Sequence, residues 1–136
     1  MSRDEIEAWL RRVYAVRAAG DVASAMAMMG PDTTYRMAGD AGTSPIPAVA
    51  QRGAALGAML EAMCAAMPAR SLELARVIVD GDTAAVEVRA RLVFAPTGEE
   101  FDTSWVGLWT FRNGKPVEAV EYIDTARFAQ LQASAG

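Results

Sequence analysis

The sequence predicts an α+β fold in which helices come first and a mainly antiparallel sheet follows. Apolar residues recur at spacings of three and four through much of the first 67 residues, which is typical of amphipathic helices. From residue 71 onwards apolar and polar residues alternate over long runs, and turn sequences separate those runs. Long twisted strands with a helix laid across them form a cone, and the mouth of such a cone is a common ligand site.

The first half of the chain predicts three helices and one strand. Ser2 and Glu5 have the spacing of a capping box and begin the first helix, whose apolar stripe is Ile6, Trp9, Leu10, Val13 and Tyr14. Gly20 ends this helix, and Asp21 can cap a short second one. A strand is predicted at 33–38, and a loop rich in glycine and proline at 39–47. The third helix carries a stripe of Val49, Leu56, Met59, Leu60, Met63, Cys64 and Met67, and Pro68 closes it.

The second half predicts four strands and a short helix. Strands are expected at 71–80, 83–94 and 101–111, and a fourth begins at Val117. The pair Asn113-Gly114 before the fourth strand is a strong hairpin signal. A short helix follows at 125–132, and Asp124 can cap it. We find no repeat and no linker, so residues 1–136 are expected to form a single domain.

The composition excludes several classes of function. Hydrophobic residues make up 52% and charged residues 22%, so the chain can bury a core, and the net charge is −4. The absence of a basic tract argues against nucleic acid as a partner, and no apolar run approaches the length needed to span a membrane. The charged N-terminal segment reads as a helix start instead of a signal peptide, so we expect a cytoplasmic protein.

The chain contains no histidine and one cysteine, Cys64. A Ser-His-Asp triad, a Cys-His dyad and a histidine-rich zinc site are therefore excluded, and acid–base chemistry must use Asp, Glu, Tyr, Lys or Cys. No phosphate-binding loop or dinucleotide fingerprint appears, so we expect neither a metal nor a cofactor. Cys64 is interpreted as a small buried hydrophobe.

Glu121 stands alone on an apolar strand face. Because strand side chains alternate, Glu121 shares its face with Ala119 and Ile123, whereas Glu118 lies on the opposite face. Such a carboxylate is either a base or hydrogen-bond acceptor in an apolar cavity, or a structural charge that is paired with a basic neighbour or wetted at the rim. The residues alone leave both interpretations open.

Alternation also assigns an inner face to the two preceding strands. In 83–94 that face is Ala84, Val86, Val88, Ala90, Leu92 and Phe94, and in 101–111 it is Phe101, Thr103, Trp105, Gly107, Trp109 and Phe111. Trp105 and Trp109 are either core residues or aromatic walls of a cavity, in which Gly107 would leave room for a ligand ring. The outer face mixes charged and apolar side chains, a mixture that suits an interface.

Several segments together resemble the nuclear transport factor 2-like superfamily. They are AAGD at the end of the first helix, TTYRMAGD, and VGLWTFRNGKPVEAVEYIDTARF. The sequence is most similar to SnoaL-like proteins, which include polyketide cyclases and limonene-epoxide hydrolases, and the resemblance covers almost the whole chain. It implies a cystatin-like α+β roll, in which a curved antiparallel or mixed sheet wraps around a long helix with helices packed in its concave face. It implies no single reaction.

The resemblance to limonene-epoxide hydrolases implies a catalytic pair of Glu121 and Tyr35. Glu121 takes the position of the acid that activates water, and Tyr35 that of a tyrosine that orients the water or the substrate oxygen. Met37 replaces the family's asparagine, and Val88 and Ala90 stand where an arginine and a general-acid aspartate belong. Because epoxide opening needs a proton donor for the leaving oxygen, the complete hydrolase site is not present.

Ketosteroid isomerase is a second relative whose site is incomplete here. Its base position corresponds to Met37, its neutral acid to Gly107 and its oxyanion-binding tyrosine to Val13. None of these residues can take over the role that its position implies.

These considerations predict a central pocket for a small, mostly apolar, oxygenated molecule. Its expected lining is Val13, Met37, Met59, Met63, Val88, Ala90, Trp105, Gly107 and Trp109. Two functions remain open: a cofactor-independent hydrolase, isomerase or cyclase that uses Glu121 and Tyr35, and a non-catalytic binding or accessory protein of the same fold. The resemblance also implies a homodimer through the outer sheet face, which carries Arg89, Arg91, Val106, Leu108, Val120 and Tyr122.

Overall fold

A computed structural model describes residues 1–39 and 49–135 and confirms the α+β architecture. Of the predicted loop at 39–47, residues 40–47 lie outside the described residues. The helices in the described part are α1 (Arg3–Ala18), α2 (Val22–Met28), α3 (Gly53–Ala66) and α4 (Thr125–Ala135). The strands there are β1 (Thr34–Met37), β2 (Ala69–Asp80), β3 (Thr83–Phe94), β4 (Glu99–Arg112) and β5 (Lys115–Tyr122).

The strands form one curved mixed sheet in the order β1-β5-β4-β3-β2. β1 pairs with β5 in parallel, and the other pairs are antiparallel. The hairpin between β4 and β5 turns at Asn113 and Gly114, which both have positive φ, as a two-residue turn of this type requires. The predicted strand faces are confirmed: all six residues assigned to the inner face of β3 are at most 7% exposed.

α1 lies across the inner face of the sheet and packs against β2. Its predicted capping box is present, since the Ser2 hydroxyl accepts from the Glu5 amide and the Glu5 carboxylate accepts from the Ser2 amide. The buried side chains Ile6, Leu10, Val13 and Tyr14 recur at helical spacing and cover the strands. The last turn of α1 therefore lies above the middle of the sheet, where the candidate site is found.

The third helix begins later than its apolar stripe predicts. Val49 lies before α3 and is 65% exposed. The backbone of Gln51 pairs with Tyr35, with N–O distances of 2.9 and 2.8 Å, and this bridge requires an extended conformation. The bridge thus prevents a helix at Gln51, and the prediction that Val49 belongs to the helical stripe is wrong.

The outer face of the sheet carries exposed apolar side chains. Val106, Leu108 and Tyr122 are 38%, 39% and 49% exposed. Val120 lies on the same face but is only 5% exposed, because the paired residues Leu108 and Arg36 flank it. In the described part of the chain, no helix is long and apolar enough to cross a membrane.

Candidate functional site

Glu121 lies at the centre of the candidate site, on the inner face of β5. The parallel pairing with β1 places Met37 on one side of it, and the antiparallel pairing with β4 places Gly107 on the other. Glu121 is 1% exposed. A carboxylate so far removed from water requires hydrogen-bonding partners and a compensating charge.

Arg17 supplies that charge from the last turn of α1. Its Nη1 donates to Oε2 of Glu121 and its Nη2 to Oε1, both at 3.1 Å, which makes a bidentate ion pair. The Arg17 side chain is 10% exposed, so both charges lie inside the protein. The predicted alternative of a carboxylate paired with a basic neighbour therefore describes the geometry of Glu121.

Arg17 is not among the site residues predicted from the sequence, although the sequence contains a signal for it. Ile6, Leu10, Val13 and Arg17 follow one another at spacings of three and four, so Arg17 lies on the buried stripe of α1. A basic residue on the apolar stripe of a helix is the counterpart of an acidic residue on the apolar face of a strand.

Three uncharged donors complete the surroundings of the Glu121 carboxylate. Tyr14 Oη donates to Oε2 at 2.5 Å, Trp105 Nε1 donates to the same oxygen at 3.2 Å, and the Tyr35 hydroxyl donates to Oε1. With the two bonds from Arg17, the described residues donate five hydrogen bonds to this carboxylate. An ionised carboxylate offers about four lone-pair positions, so its accepting capacity is filled.

Gly107 creates the space for this arrangement. A Cβ atom at position 107 would lie 2.7 Å from Tyr14 Oη and 2.8 Å from Trp109 Nε1. Trp109 Nε1 donates to Tyr14 Oη at 3.1 Å and thereby orients the hydroxyl towards Glu121. The room that Gly107 provides is thus occupied by protein side chains.

The environment fixes the protonation states of Arg17 and Tyr14. Burial, the largest influence on Arg17, lowers its pKa, but the charge of Glu121 together with smaller contributions raises the pKa of Arg17 on balance. Burial and the adjacent Glu121 charge raise the pKa of Tyr14 well above its ordinary value, so Tyr14 remains a neutral donor. The guanidinium also lies over both tyrosine rings, 5.0 Å from the Tyr14 centroid and 5.5 Å from that of Tyr35.

A cavity of about 320 Å³ adjoins the ion pair. Arg17, Trp105 and Glu121 form its polar end. Its apolar walls come from both sheet and helices and include Met37, Met63, Met67, Leu72, Leu92, Ile123 and Phe128. Of the predicted site residues, Met37, Met63, Trp105 and Glu121 lie on this cavity.

The other predicted site residues lie elsewhere. Val13, Tyr35, Val88 and Trp109 are fully buried. Trp109 packs edge-on against Trp9, with 5.4 Å between ring centroids. Ala90 belongs to a second apolar cluster, Met59 packs at the edge of the main core, and Gly107 lies beneath Tyr14. Tyr35 lies in the core and donates a hydrogen bond to Glu121 from there.

Cys64 lies on the cavity and is only partly buried. Its Sγ contacts the backbone oxygen of Arg17 at 3.8 Å, and burial raises the pKa of the thiol. A thiol with a raised pKa is a weak nucleophile at neutral pH. Among the described residues, no group of three His, Cys, Asp or Glu side chains could hold a metal ion.

Asp124 has the capping role that the sequence predicts, and Asp102 lies at the surface. Asp102 is 79% exposed and pairs with Arg91 at 3.0 Å. Asp124 accepts from the backbone amide of Arg127 at 3.1 Å and caps α4.

The curved sheet and the helix across it define a cone-shaped α+β roll, and an ion-paired acid lies beside an apolar cavity within it. Residues 10–119 match the model of the SnoaL-like domain, and the chain belongs to this family. The sequence resemblance is thereby confirmed. None of the curated proteins is significantly similar to the chain in sequence.

Solved structures extend the likeness in fold. A proposed isomerase from Bacillus subtilis superposes with a TM-score of 0.83 at 17% identity, over 98% of this chain and 95% of the other. TerC, crystallised together with polyporic acid, superposes with a TM-score of 0.76 at 22% identity, over 93% of this chain and 96% of the other. A proposed SnoaL-like polyketide cyclase from Mesorhizobium loti superposes with a TM-score of 0.68 at 22% identity, over 90% of this chain and 99% of the other. At these identities the likeness establishes the fold alone.

The guanidinium of this site comes from a different element than the hydrolase resemblance implies. The arginine position of the middle strand is Val88, which is fully buried, and the adjacent Arg89 side chain is 63% exposed. Arg17 on α1 contacts the acid instead. The site therefore combines the acid and tyrosine positions that the hydrolase resemblance implies with a charge that is contributed from the first helix.

Proposed function

We propose that the protein binds a small, mostly apolar, oxygenated molecule in the cavity beside Glu121. The volume of about 320 Å³ lies at the lower end of the range of ligand pockets, roughly 300–1,000 Å³. Methionine and leucine side chains make adaptable walls for such a molecule. The observation that carries the proposal is the saturated carboxylate. Because Glu121 already accepts five hydrogen bonds, it orders the polar end and has no free lone pair for a substrate proton.

Thermal unfolding with and without neutral bicyclic compounds tests this proposal. A ligand at about 100 times its Kd should stabilise the native state by about 2.7 kcal/mol, and the compound should be recovered unchanged. Ala69→Phe should abolish this stabilisation because Ala69 lines the cavity, whereas Ala129→Phe, at an exposed position of α4, should not. Equal stabilisation of both variants would show that binding occurs elsewhere.

Catalysis without a cofactor is the second candidate function. The observation in its favour is that Glu121, Arg17 and Trp105 line the polar end of the cavity, so an ionised carboxylate and N–H donors lie beside a bound ligand. NMR detection of deuterium exchange at the α-carbon of an enolisable ketone tests it. Exchange faster than in buffer, and absent in Ala69→Phe, would support an isomerase-type activity. Exchange at the buffer rate together with binding would support the binding protein.

We also propose that the protein forms a homodimer through the outer face of the sheet. Support comes from the exposed apolar side chains Val106, Leu108 and Tyr122, which lie together on β4 and β5. Exposed apolar side chains that are clustered in this way favour association. Arg89 and Arg91 lie on the neighbouring strand, where they would form the polar rim of the interface.

A further inference from the structure

Arg17 has more hydrogen-bond donors than Glu121 and Tyr35 use. A guanidinium carries five N–H groups. Nη1 makes one bond to Glu121, and Nη2 bonds to Glu121 and, at 3.3 Å, to Tyr35 Oη. Within residues 1–39 and 49–135, the second Nη1 hydrogen and the Nε hydrogen have no partner. No fully buried side-chain nitrogen in those residues lacks a partner, so Nε is not fully buried. Because Arg17 lines the cavity, we place the Nε hydrogen and the second Nη1 hydrogen at the polar end of the cavity.

The side-chain acceptors at or beside this end of the cavity are already engaged. Both oxygens of Glu121 are saturated, and Trp105 is a donor that is committed to Glu121. The Tyr35 hydroxyl receives a bond from Arg17 and donates to Glu121, while the Cys64 thiol is directed at the Arg17 carbonyl. A ligand group that only donates hydrogen bonds would thus find no free side-chain acceptor at this end among the described residues, and an unpaired buried donor is costly.

The charge balance of the cavity also limits the ligand. Among the described residues that line it, Arg17 and Glu121 carry the charges, and these cancel. A cationic group would approach Arg17 without finding a free carboxylate. An anionic group would place a second negative charge beside Glu121 in a site that is largely withdrawn from water.

We infer that the cavity selects neutral ligands that present a hydrogen-bond-accepting oxygen, such as a ketone or quinone carbonyl, to the free donors of Arg17. The inference rests on the proposed binding function and specifies which end of the ligand is recognised. The apolar remainder of the ligand lies against Met37, Met63 and Leu72. Arg17 thereby has two roles. Its Nη1 and Nη2 groups pair with Glu121, and its remaining N–H groups donate to the ligand oxygen.

Calorimetric titration with three compounds of one bicyclic skeleton tests the inference. They are 1-tetralone, which carries a neutral carbonyl, tetralin, which has no oxygen, and 1-aminotetralin, which is cationic at pH 7. We expect 1-tetralone to bind about tenfold more tightly than tetralin, because a hydrogen bond from a charged donor is gained, and 1-aminotetralin to bind most weakly. Equal affinity of 1-tetralone and tetralin would overturn the inference and leave the proposed binding function intact.

Failure of both neutral compounds to bind would contradict the proposed function and the inference together. Arg17→Lys adds a second readout, because a lysine can keep the ion pair with Glu121 but lacks the additional donors of the guanidinium. In that variant the preference for 1-tetralone should fall to about twofold or less, while the affinity for tetralin is retained. An unchanged preference would exclude Arg17 as the donor. The comparison in the unmodified protein remains decisive if the variant does not fold.

Discussion

Glu121 and Arg17 each interrupt an apolar surface, and each compensates the charge of the other. Taking two ions out of water costs several kcal/mol, which is recovered only with good geometry and further hydrogen bonds. Here the pair is bidentate, and two tyrosines and a tryptophan satisfy the remaining carboxylate positions. The pair is therefore a structural centre of the site as well as its polar end.

We predict that Glu121→Gln lowers the free energy of unfolding by about 3–5 kcal/mol, because it leaves Arg17 charged, buried and unpaired. The glutamine would also direct an N–H₂ donor at partners that are themselves donors. Denaturant unfolding measures the effect. Glu118→Gln is the matched control, since it is on the same strand but exposed, and it should change stability by less than about 0.5 kcal/mol.

The double variant Arg17→Met, Glu121→Met tests whether the loss comes from the orphaned charge. Replacing both partners of a buried pair by apolar residues of similar volume is often neutral or stabilising. We therefore expect the double variant to be more stable than Glu121→Gln. If it is equally unstable, the loss arises from packing and not from charge.

The raised pKa of Tyr14 predicts that the protein becomes less stable at alkaline pH. Burial and the Glu121 charge raise its native pKa above the value in the unfolded chain, which is about 10. Its contribution is complete below pH 10. At higher pH the unfolded chain loses a proton that native Tyr14 keeps, and stability falls by up to about 1.4 kcal/mol per pH unit. Unfolding of Tyr14→Phe at pH 8 and 10.5 should show a shallower decline, and an identical decline would refute the prediction.

At the scale of elements, the site depends on a close approach between α1 and β4. The Tyr14 hydroxyl lies only 2.7 Å from the position that a Cβ at Gly107 would take. An alanine there must displace Tyr14 or Trp109, and overpacking of this kind costs about 1–3 kcal/mol. We predict that Gly107→Ala destabilises the protein by this amount in denaturant unfolding and weakens ligand binding in the cavity.

Gly57→Ala is the control for that prediction. Gly57 lies inside α3, and a Cβ there would meet Met26 Cγ at an ordinary distance of 4.0 Å. Because alanine favours a helix over glycine, this variant should be more stable by about 0.5–1 kcal/mol. Destabilisation by both alanines would mean that the contact with Tyr14 is not the cause at Gly107.

Local sequence predicts some features of the helices and strands, but not those that depend on how distant elements pack together. Alternation is a property of single strands, so the inner position of Glu121 and the buried face of β3 could be predicted without knowing the partners. Arg17 could be placed on the stripe of α1, but the strand that it meets depends on how α1 crosses the sheet, and no local periodicity encodes that crossing. The late start of α3 has the same origin, since the bridge that prevents a helix joins Gln51 to the distant Tyr35.

At the scale of the whole molecule, one sheet separates the cavity from the proposed interface. Trp105 faces the cavity and Val106 the outside, and Glu121 and Tyr122 are divided in the same way. Side-chain alternation thus allows two surfaces with different tasks to be built on β4 and β5. A partner on the outer face would leave the cavity open to ligand, because the cavity lies on the opposite side of the sheet.

This separation leads to a prediction about assembly. Leu108→Lys introduces a charge into the centre of the exposed apolar patch, and we expect it to dissociate the proposed dimer, because an unpaired charge in an interface core is costly. Sedimentation velocity measures the change. Val49→Lys, at an exposed apolar residue outside the five strands, should leave the oligomeric state unchanged. Affinity for 1-tetralone should persist in Leu108→Lys, since Leu108 does not line the cavity. A variant that dissociates and also loses ligand would show that the two faces are coupled through the sheet, and one that remains dimeric would place the interface elsewhere.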